Sequence, residues 1–138
     1  MIDHIGLAVG DIARATEFYL KALSPLGYGI VMEVSAEETG NGAAIGFGAP
    51  GKAEDFQSGK PSFWIGEGER LGGHFHVAFV APSRASVDAF YRAGLEAGGR
   101  DNGKPGLRPH YHANYYAAFV LDPDGNNIEA VCHATALK

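Results

Sequence analysis

Two segments of the chain carry the same pattern of hydrophobic and polar positions. In each, a short alternation of bulky and small or polar residues predicts a strand, and apolar positions then recur at helical spacing. The segments are 4–27 (HIGLAVGDIARATEFYLKALSPLG) and 76–99 (HVAFVAPSRASVDAFYRAGLEAGG), which align without a gap at an offset of 72 residues. A repeat of this kind indicates one supersecondary unit that is used twice.

The first strand of each unit has two different faces. One face carries bulky apolar side chains that can pack against helices, namely Ile5, Leu7 and Val9 in the first unit and Val77, Phe79 and Ala81 in the second. The opposite face starts with a histidine, His4 or His76, and continues mostly with small residues. Pseudo-twofold symmetry between the units would bring these two histidines towards one shared site.

A helix follows each first strand. Asp11 and Ser83 are suitable N-caps, because their side-chain oxygens can accept hydrogen bonds from free N–H groups of the first helical turn. Amphipathic stripes then extend to about Leu23 in the first unit and about Ala97 in the second.

Three further strands complete each unit. In the first unit they are predicted at 28–34, 43–48 and 62–65, with an insertion at 51–60 before the last one. In the second unit two strands are predicted at 115–121 and 127–133, on either side of a DPDGN turn. The remaining strand is weak at 100–102, and residues 103–114 are predicted to form a long irregular loop.

The predicted fold is therefore an α+β protein of two βαβββ modules. We expect a single domain over residues 1–138, with module 1 at about 1–70 and module 2 at about 71–138. A chain of this length can bury one sizeable core, whereas a second independent core is not expected.

Composition narrows the class of protein. Because 46% of the residues are hydrophobic and 20% charged, with no long apolar run, we expect a soluble globular protein and no membrane association. The net charge of −5 and the scattered basic residues argue against nucleic acid as a partner. The single Cys132 cannot form an internal disulfide, and no signal segment is recognisable before His4, so we expect a cytoplasmic location.

Histidine is the enriched chemical residue type. The chain has six, and four of them fall in two short stretches, His74/His76 and His110/His112. His4 and His76 occupy equivalent strand positions, where each could also be an ordinary half-buried polar residue. Two imidazoles with a carboxylate and open positions form the arrangement favoured by Fe(II), and it also suits Mn, Ni or Zn.

Three motifs resemble the vicinal oxygen chelate superfamily, which contains glyoxalase I, bleomycin-resistance proteins and extradiol dioxygenases. They are HIGLAV before a helix with FY, HVAFVA before a second FY helix, and FVLDPDGNNIE near the C-terminus. The resemblance covers essentially the whole chain and is more specific for the fold than for the reaction. It implies that the modules form a cup-shaped mixed sheet with helices on the outer face. It also implies that His4, His76 and Glu129 bind a divalent ion, Fe2+, Mn2+, Ni2+ or Zn2+.

The sequence departs from glyoxalase I at the fourth ligand. The position of module 1 that matches Glu129 is at about Trp64, which cannot bind a metal. Ala8 stands where glyoxalase I usually has an arginine. The ligand set is closer to that of extradiol dioxygenases, which use two histidines and a glutamate.

Extradiol dioxygenases also place a histidine and a tyrosine upstream of that glutamate. The resemblance makes four residues candidates for these catalytic roles, namely His110, His112, Tyr115 and Tyr116. Phe119 occupies the place where the dioxygenase tyrosine is expected. His110 and His112 could equally be solvated loop residues, and His74 could be a ligand or lie at the solvent-facing start of its strand.

The sequence therefore predicts a metal-dependent enzyme that chelates a small oxygenated substrate. Dioxygenase-like and lyase- or isomerase-like reactions both fit, with His110 or His112 moving the proton. The alternative is a metal-free protein that binds a small molecule or drug in the cup. A homodimer is expected, and the resemblance leaves open whether the cup closes within one chain or between two.

Overall fold

The computed structural model describes residues 2–40, 42–50, 59–68 and 75–135. Module 1 contains β1 (Ile5–Val9), α1 (Ile12–Leu23), β2 (Gly29–Val34), a short helix α2 (Ala36–Thr39), β3 (Ala44–Gly48) and β4 (Phe63–Glu67). Module 2 contains β5 (His76–Val80), α3 (Arg84–Glu96), β6 (Arg100–Leu107), β7 (Tyr116–Leu121) and β8 (Asn127–Cys132). A single 3₁₀ turn, Ser24–Leu26, extends α1.

The two modules have the same topology. Each forms a four-stranded mixed sheet, with strand orders β1-β4-β3-β2 and β5-β8-β7-β6. In both sheets the first strand is parallel to the last one, and the other pairs are antiparallel. The predicted α+β fold of two βαβββ modules is thus confirmed.

Both long helices begin at the predicted caps. The Asp11 side chain accepts a hydrogen bond from the Arg14 N–H, and the Ser83 hydroxyl accepts one from the Ser86 N–H, each at 3.1 Å. These bonds satisfy donors that the first helical turn leaves free. The elements α1 and α3 end at Leu23 and Glu96, close to the predicted ends.

The prediction of an irregular loop from residue 103 was wrong at its start, because the strand β6 continues to Leu107. Its glycines and Pro105 do not form a regular ladder, and the pairing of β6 with β7 shifts register between Asp101 and Gly106. An edge strand tolerates such irregularities because only one of its sides must pair. The helix α2, which a capping box of Ser35 and Glu38 starts, was not predicted. Residues 51–58 of the predicted insertion and His74 lie outside the described residues.

One apolar cluster joins the modules. It contains the helix-facing side chains of both sheets and the inner faces of α1 and α3. Across the cluster, the rings of Phe63 on β4 and Phe79 on β5 meet edge to face at a centroid distance of 5.2 Å. The Tyr19 hydroxyl of α1 also donates to Asp122 Oδ2 of the β7–β8 turn at 2.5 Å.

The core therefore occupies the helix side of each sheet. The opposite side, which carries His4 in module 1 and His76 in module 2, is called the open face below. Within the described ranges, none of the helices has the length and apolar character that a membrane span needs.

Candidate metal centre

The open face of module 2 brings together His76 and Glu129. His76 starts β5, and Glu129 lies in the middle of the neighbouring strand β8. The Glu129 side chain is only 3% exposed, and its Oε1 lies 3.1 Å from His76 Nε2. A carboxylate buried to this extent is costly unless a positive charge or hydrogen bonds compensate it.

Hydrogen bonding fixes the orientation of His76. Its Nδ1 lies 2.9 Å from the carbonyl oxygen of Asn127, which can only accept, so Nδ1 carries a proton. In a neutral imidazole the lone pair is then on Nε2 and faces the Glu129 carboxylate. Two lone pairs that face each other need a proton or a cation between them. A backbone partner on the second ring nitrogen is also the usual support of a metal-binding histidine.

Tyr115 gives Glu129 a second partner. Its hydroxyl donates a hydrogen bond to Oε2 of Glu129. Burial, and after it the hydrogen bond and the charge of Glu129, raises the pKa of Tyr115 to about 12, while the Arg108 cation opposes this shift. At neutral pH Tyr115 is therefore a proton donor and not a base.

A pair of histidines lies beside Tyr115. His112 Nε2 and His133 Nδ1 are 2.6 Å apart, and both rings meet the Tyr115 ring edge to face at 5.4 Å. Because His112 Nδ1 accepts from the Asn114 N–H, neutral His112 has its proton on Nε2 and donates it to His133. His133 was not predicted as a site residue, although strand alternation already put it on the same face as Glu129.

The other two candidate catalytic residues lie elsewhere. Tyr116 was predicted as catalytic, but its hydroxyl donates to Asp88 Oδ1 on α3 at 2.6 Å. Successive residues of a strand point to opposite faces, so Tyr116 is on the helix side and Tyr115 on the open side. His110 packs against the exposed Tyr111 at a centroid distance of 4.2 Å, with the two rings tilted by 46°, and within the described residues it makes no contact with Glu129.

His4 lies on the open face of module 1. Its side chain is 56% exposed, and its Nδ1 lies 2.7 Å from Asp3 Oδ2. Since this carboxylate accepts the Nδ1 proton, neutral His4 has its lone pair on Nε2, as His76 does. His4 lines an open concavity of about 570 Å³, and the side chains that line it all belong to module 1.

A single chain does not bring all three predicted ligands together. Within the described residues, no group of three or more His, Cys, Asp or Glu side chains could hold a metal ion. From the repeat, the first strands of the two units were predicted to approach one shared site. Instead, β1 and β5 are edge strands of separate sheets whose helix sides share one core.

The register confirms that Trp64 occupies the position of module 1 that is equivalent to Glu129. Gly6 pairs with Trp64 in module 1, and the equivalent Ala78 pairs with Glu129 in module 2. The Trp64 indole lies over Gly46, where an added Cβ would come within 3.0 Å of the ring. The concavity of module 1 thus has an aromatic wall where module 2 has a carboxylate.

Comparison with known proteins agrees with this architecture. The chain is similar to a glyoxalase/bleomycin resistance protein from Albidiferax ferrireducens, with 27% identity, a TM-score of 0.71, and coverage of 94% of this chain and 96% of that one. It is similar in fold to a glyoxalase-related enzyme from Fulvimarina pelagi, with 17% identity, a TM-score of 0.66, and coverage of 96% and 87% of the two chains.

A third structure is a glyoxalase I mutant from Zea mays, with 24% identity and a TM-score of 0.68. The match covers 94% of this chain but only 45% of the maize chain. No curated protein sequence gives a significant match. The family model described as the Glyoxalase/Bleomycin resistance protein/Dioxygenase superfamily matches residues 1–130. The chain therefore belongs to this superfamily.

Proposed function

We propose that the protein is a metal-dependent enzyme that chelates a small oxygenated substrate through a divalent ion. The observation that carries this proposal is the distance of 3.1 Å between His76 Nε2 and Glu129 Oε1. A cation bound by both atoms would satisfy the two lone pairs that face each other, and no proton would then be needed between them. Two donors at about 2.1 Å from one ion and at roughly a right angle would lie about 3 Å apart. The pair thus has the spacing of two adjacent ligands.

His4 is the proposed third ligand, and it would come from a second chain. Support comes from the edges of the two sheets, since β1 and β5 each have a side without a partner strand in the described chain. Val80, on the open face of β5, is 73% exposed, although edge strands with exposed apolar side chains are usually covered. A homodimer that sets β1 of one chain beside β5 of the other would cover both edges and complete a cup.

The ion, when bound, would act as a Lewis acid on two neighbouring substrate oxygens, or activate dioxygen if it is Fe(II). The residues of the chain supply the other functions. Tyr115 keeps its proton at neutral pH and holds the Glu129 carboxylate in place through its hydroxyl. The His112–His133 pair, whose two solvent-exposed rings share one hydrogen bond, would carry the proton.

Elemental analysis of protein purified without chelator tests the proposal. We expect about one divalent ion per chain in the wild type, and a loss of most of it in Glu129→Gln and in His76→Ala, because a missing ligand weakens a site of this kind strongly. His110→Ala is the matched control, since it removes an exposed imidazole that lies outside the pair, and it should keep its metal.

The same preparations separate the proposal from its rival. A wild-type protein without bound metal that still binds small molecules after His76→Ala would be a metal-free binding protein. For a metal-containing protein, oxygen consumption with a catechol would indicate a dioxygenase. Turnover without oxygen would indicate a lyase or an isomerase.

A further inference from the structure

Arg108 forms a second feature of the open face of module 2. Its guanidinium lies over the Phe119 ring, 5.3 Å from the centroid. Its Nη1 donates to the carbonyl oxygen of Gly106 and its Nη2 to that of Lys104, both at 2.8 Å. Two backbone carbonyls and one aromatic face thus hold the cation in a single position.

Two glycines of β6 leave the space in which the guanidinium lies. A Cβ added at Gly103 would lie 2.8 Å from Phe119 Cδ1 and 3.2 Å from Arg108 Nη2. A Cβ added at Gly106 would lie 3.3 Å from Arg108 Nη1. Any side chain at these positions would crowd Phe119 or the guanidinium. The irregular, glycine-containing β6 therefore acts as a cradle for Arg108.

The cation in this cradle has no acidic partner among the residues that the structure describes. Its hydrogen-bond acceptors are neutral carbonyls, and no described carboxylate lies within ion-pair distance of it. The chain nevertheless has 16 acidic and 11 basic residues, so carboxylates are plentiful. The guanidinium has five N–H donors and uses two of them here, which leaves donors free for an anion.

The cradle lies next to the candidate metal centre. Phe119 is opposite Glu129 in the register of β7 and β8, and its ring is roughly parallel to that of His76 at a centroid distance of 6.3 Å. The main-chain N–H of Arg108 donates to the carbonyl oxygen of Tyr115 at 2.7 Å. The guanidinium and the His76–Glu129 pair therefore border the same part of the open face, on either side of Phe119.

We propose that Arg108 is a specificity-determining residue that binds a carboxylate of the substrate. The substrate would then be a small molecule that has a carboxylate group and, separate from this group, the two oxygens that chelate the metal. A single guanidinium matches a singly charged, planar carboxylate, with which it can form paired hydrogen bonds. This inference rests on the proposed function for the location of the chelating oxygens, but the preference for an anion depends on Arg108 alone.

Two probes of equal shape test the proposal, namely protocatechuate and its amide. Both carry the same pair of neighbouring hydroxyls, and only the first is an anion at neutral pH. Affinities are measured by quenching of the single tryptophan, Trp64, and by calorimetry, with metal-loaded and with metal-free protein. We expect the wild type to bind the carboxylate about tenfold or more tightly than the amide, as for a charge-assisted hydrogen bond.

Arg108→Gln should abolish this preference, because it lowers the affinity for the carboxylate far more than the affinity for the amide. Arg108→Lys should retain part of the preference, because it keeps the charge but loses the planar fork. Gly106→Ala keeps the arginine but crowds its Nη1, so it should reduce the preference for the carboxylate probe. Thermal melting of each variant checks that the fold is retained.

The two proposals fail in different ways. The ratio of the two affinities reports on Arg108, whereas the change of both affinities on metal removal reports on the proposed metal centre. Equal affinities of the wild type for both probes, a preference that survives Arg108→Gln, or no binding of either probe would overturn the role of Arg108. If the wild type prefers the carboxylate probe but metal removal changes neither affinity, the role of Arg108 is supported and the proposed metal centre is contradicted.

Discussion

At the scale of the residue, one buried carboxylate connects the side chains of the open face of module 2. Glu129 has an imidazole at one oxygen and a phenol at the other, and its backbone lies in the middle of a sheet. His4 and Asp3 form a similar histidine–carboxylate contact at the surface. We expect the exposed contact to contribute little to stability and mainly to orient the ring.

A second buried carboxylate, Asp122, supports a stability prediction for Tyr19. Burial, and after it the charge and hydrogen bond of Asp122, raises the pKa of Tyr19 well above its ordinary value. The folded chain therefore keeps this proton more tightly than the unfolded chain, whose tyrosines ionise at about pH 10. The contribution of Tyr19 to the free energy of unfolding is complete below that pH and decreases as the pH rises above it.

We expect Tyr19→Phe to lower the free energy of unfolding at pH 8 by about 1–3 kcal/mol, since Asp122 loses a buried hydrogen-bond donor. Above about pH 10 the difference between the variant and the wild type should shrink, because the variant has no proton to lose at this position. Urea denaturation from pH 8 to 11 measures this difference. A difference that stays constant over the whole range would contradict the assigned role of Asp122.

The sequence predicted which residues of the two modules are equivalent wherever the repeat and strand alternation determine their positions. The offset of 72 residues matched His4 with His76, and Trp64 was already assigned to the position of Glu129. The sequence could not show that Arg108 reaches over Phe119, since its side chain runs back along β6 to the carbonyls of Gly106 and Lys104. Such a contact depends on a bulged strand whose register no local pattern specifies.

At the scale of the element, the contact between α3 and its neighbours determines how the modules join. Just after α3, Gly99 lies against Phe18 of α1 and Val120 of β7. A Cβ added there would be 2.6 Å from a side-chain atom of each and 2.7 Å from the carbonyl oxygen of Gly94. The space at this glycine is filled by residues of both modules.

We therefore expect Gly99→Ala to destabilise the protein by about 1–3 kcal/mol, as overpacking of a core does. Gly29→Ala is the matched control, because an added Cβ there meets nothing within 4 Å. It should change the free energy of unfolding by no more than about 0.5 kcal/mol. Equal effects of the two substitutions in thermal or urea denaturation would contradict this packing.

Elements with strong local signals were predicted well, and those without them were not. Caps, amphipathic stripes and the DPDGN turn located α1, α3, β7 and β8. The strand β6 was predicted to end early because its glycines and Pro105 are typical of loops. Pairing with β7 overrides this local preference.

At the scale of the whole molecule, the shared core leaves both open faces outside it. The sequence predicted two equivalent modules but not how they face each other, since side-chain alternation is the same in a cup closed by one chain or by two. The proposal of a partner chain rests on the exposed Val80 on the edge strand β5.

We expect Val80→Asp to weaken or abolish a dimer that light scattering detects for the wild type, because a charge would replace an apolar contact at the interface. Leu20→Asp is the matched control, since Leu20 is 43% exposed on α1, away from the open face. It should remain dimeric. A monomeric wild type, or equal effects of both substitutions, would contradict the proposed interface.

The most direct test of the central claim is metal binding by mixed dimers of two variants. His4→Ala and Glu129→Gln, purified separately, should each lose most of their metal. In a mixed dimer of the two, one cup contains an intact His4 from one chain and an intact His76 and Glu129 from the other. After co-expression we predict that about one site in four recovers its metal, as random pairing of the two chains gives. Mixed dimers that contain no more metal than the separate variants would contradict a cup that is shared between two chains.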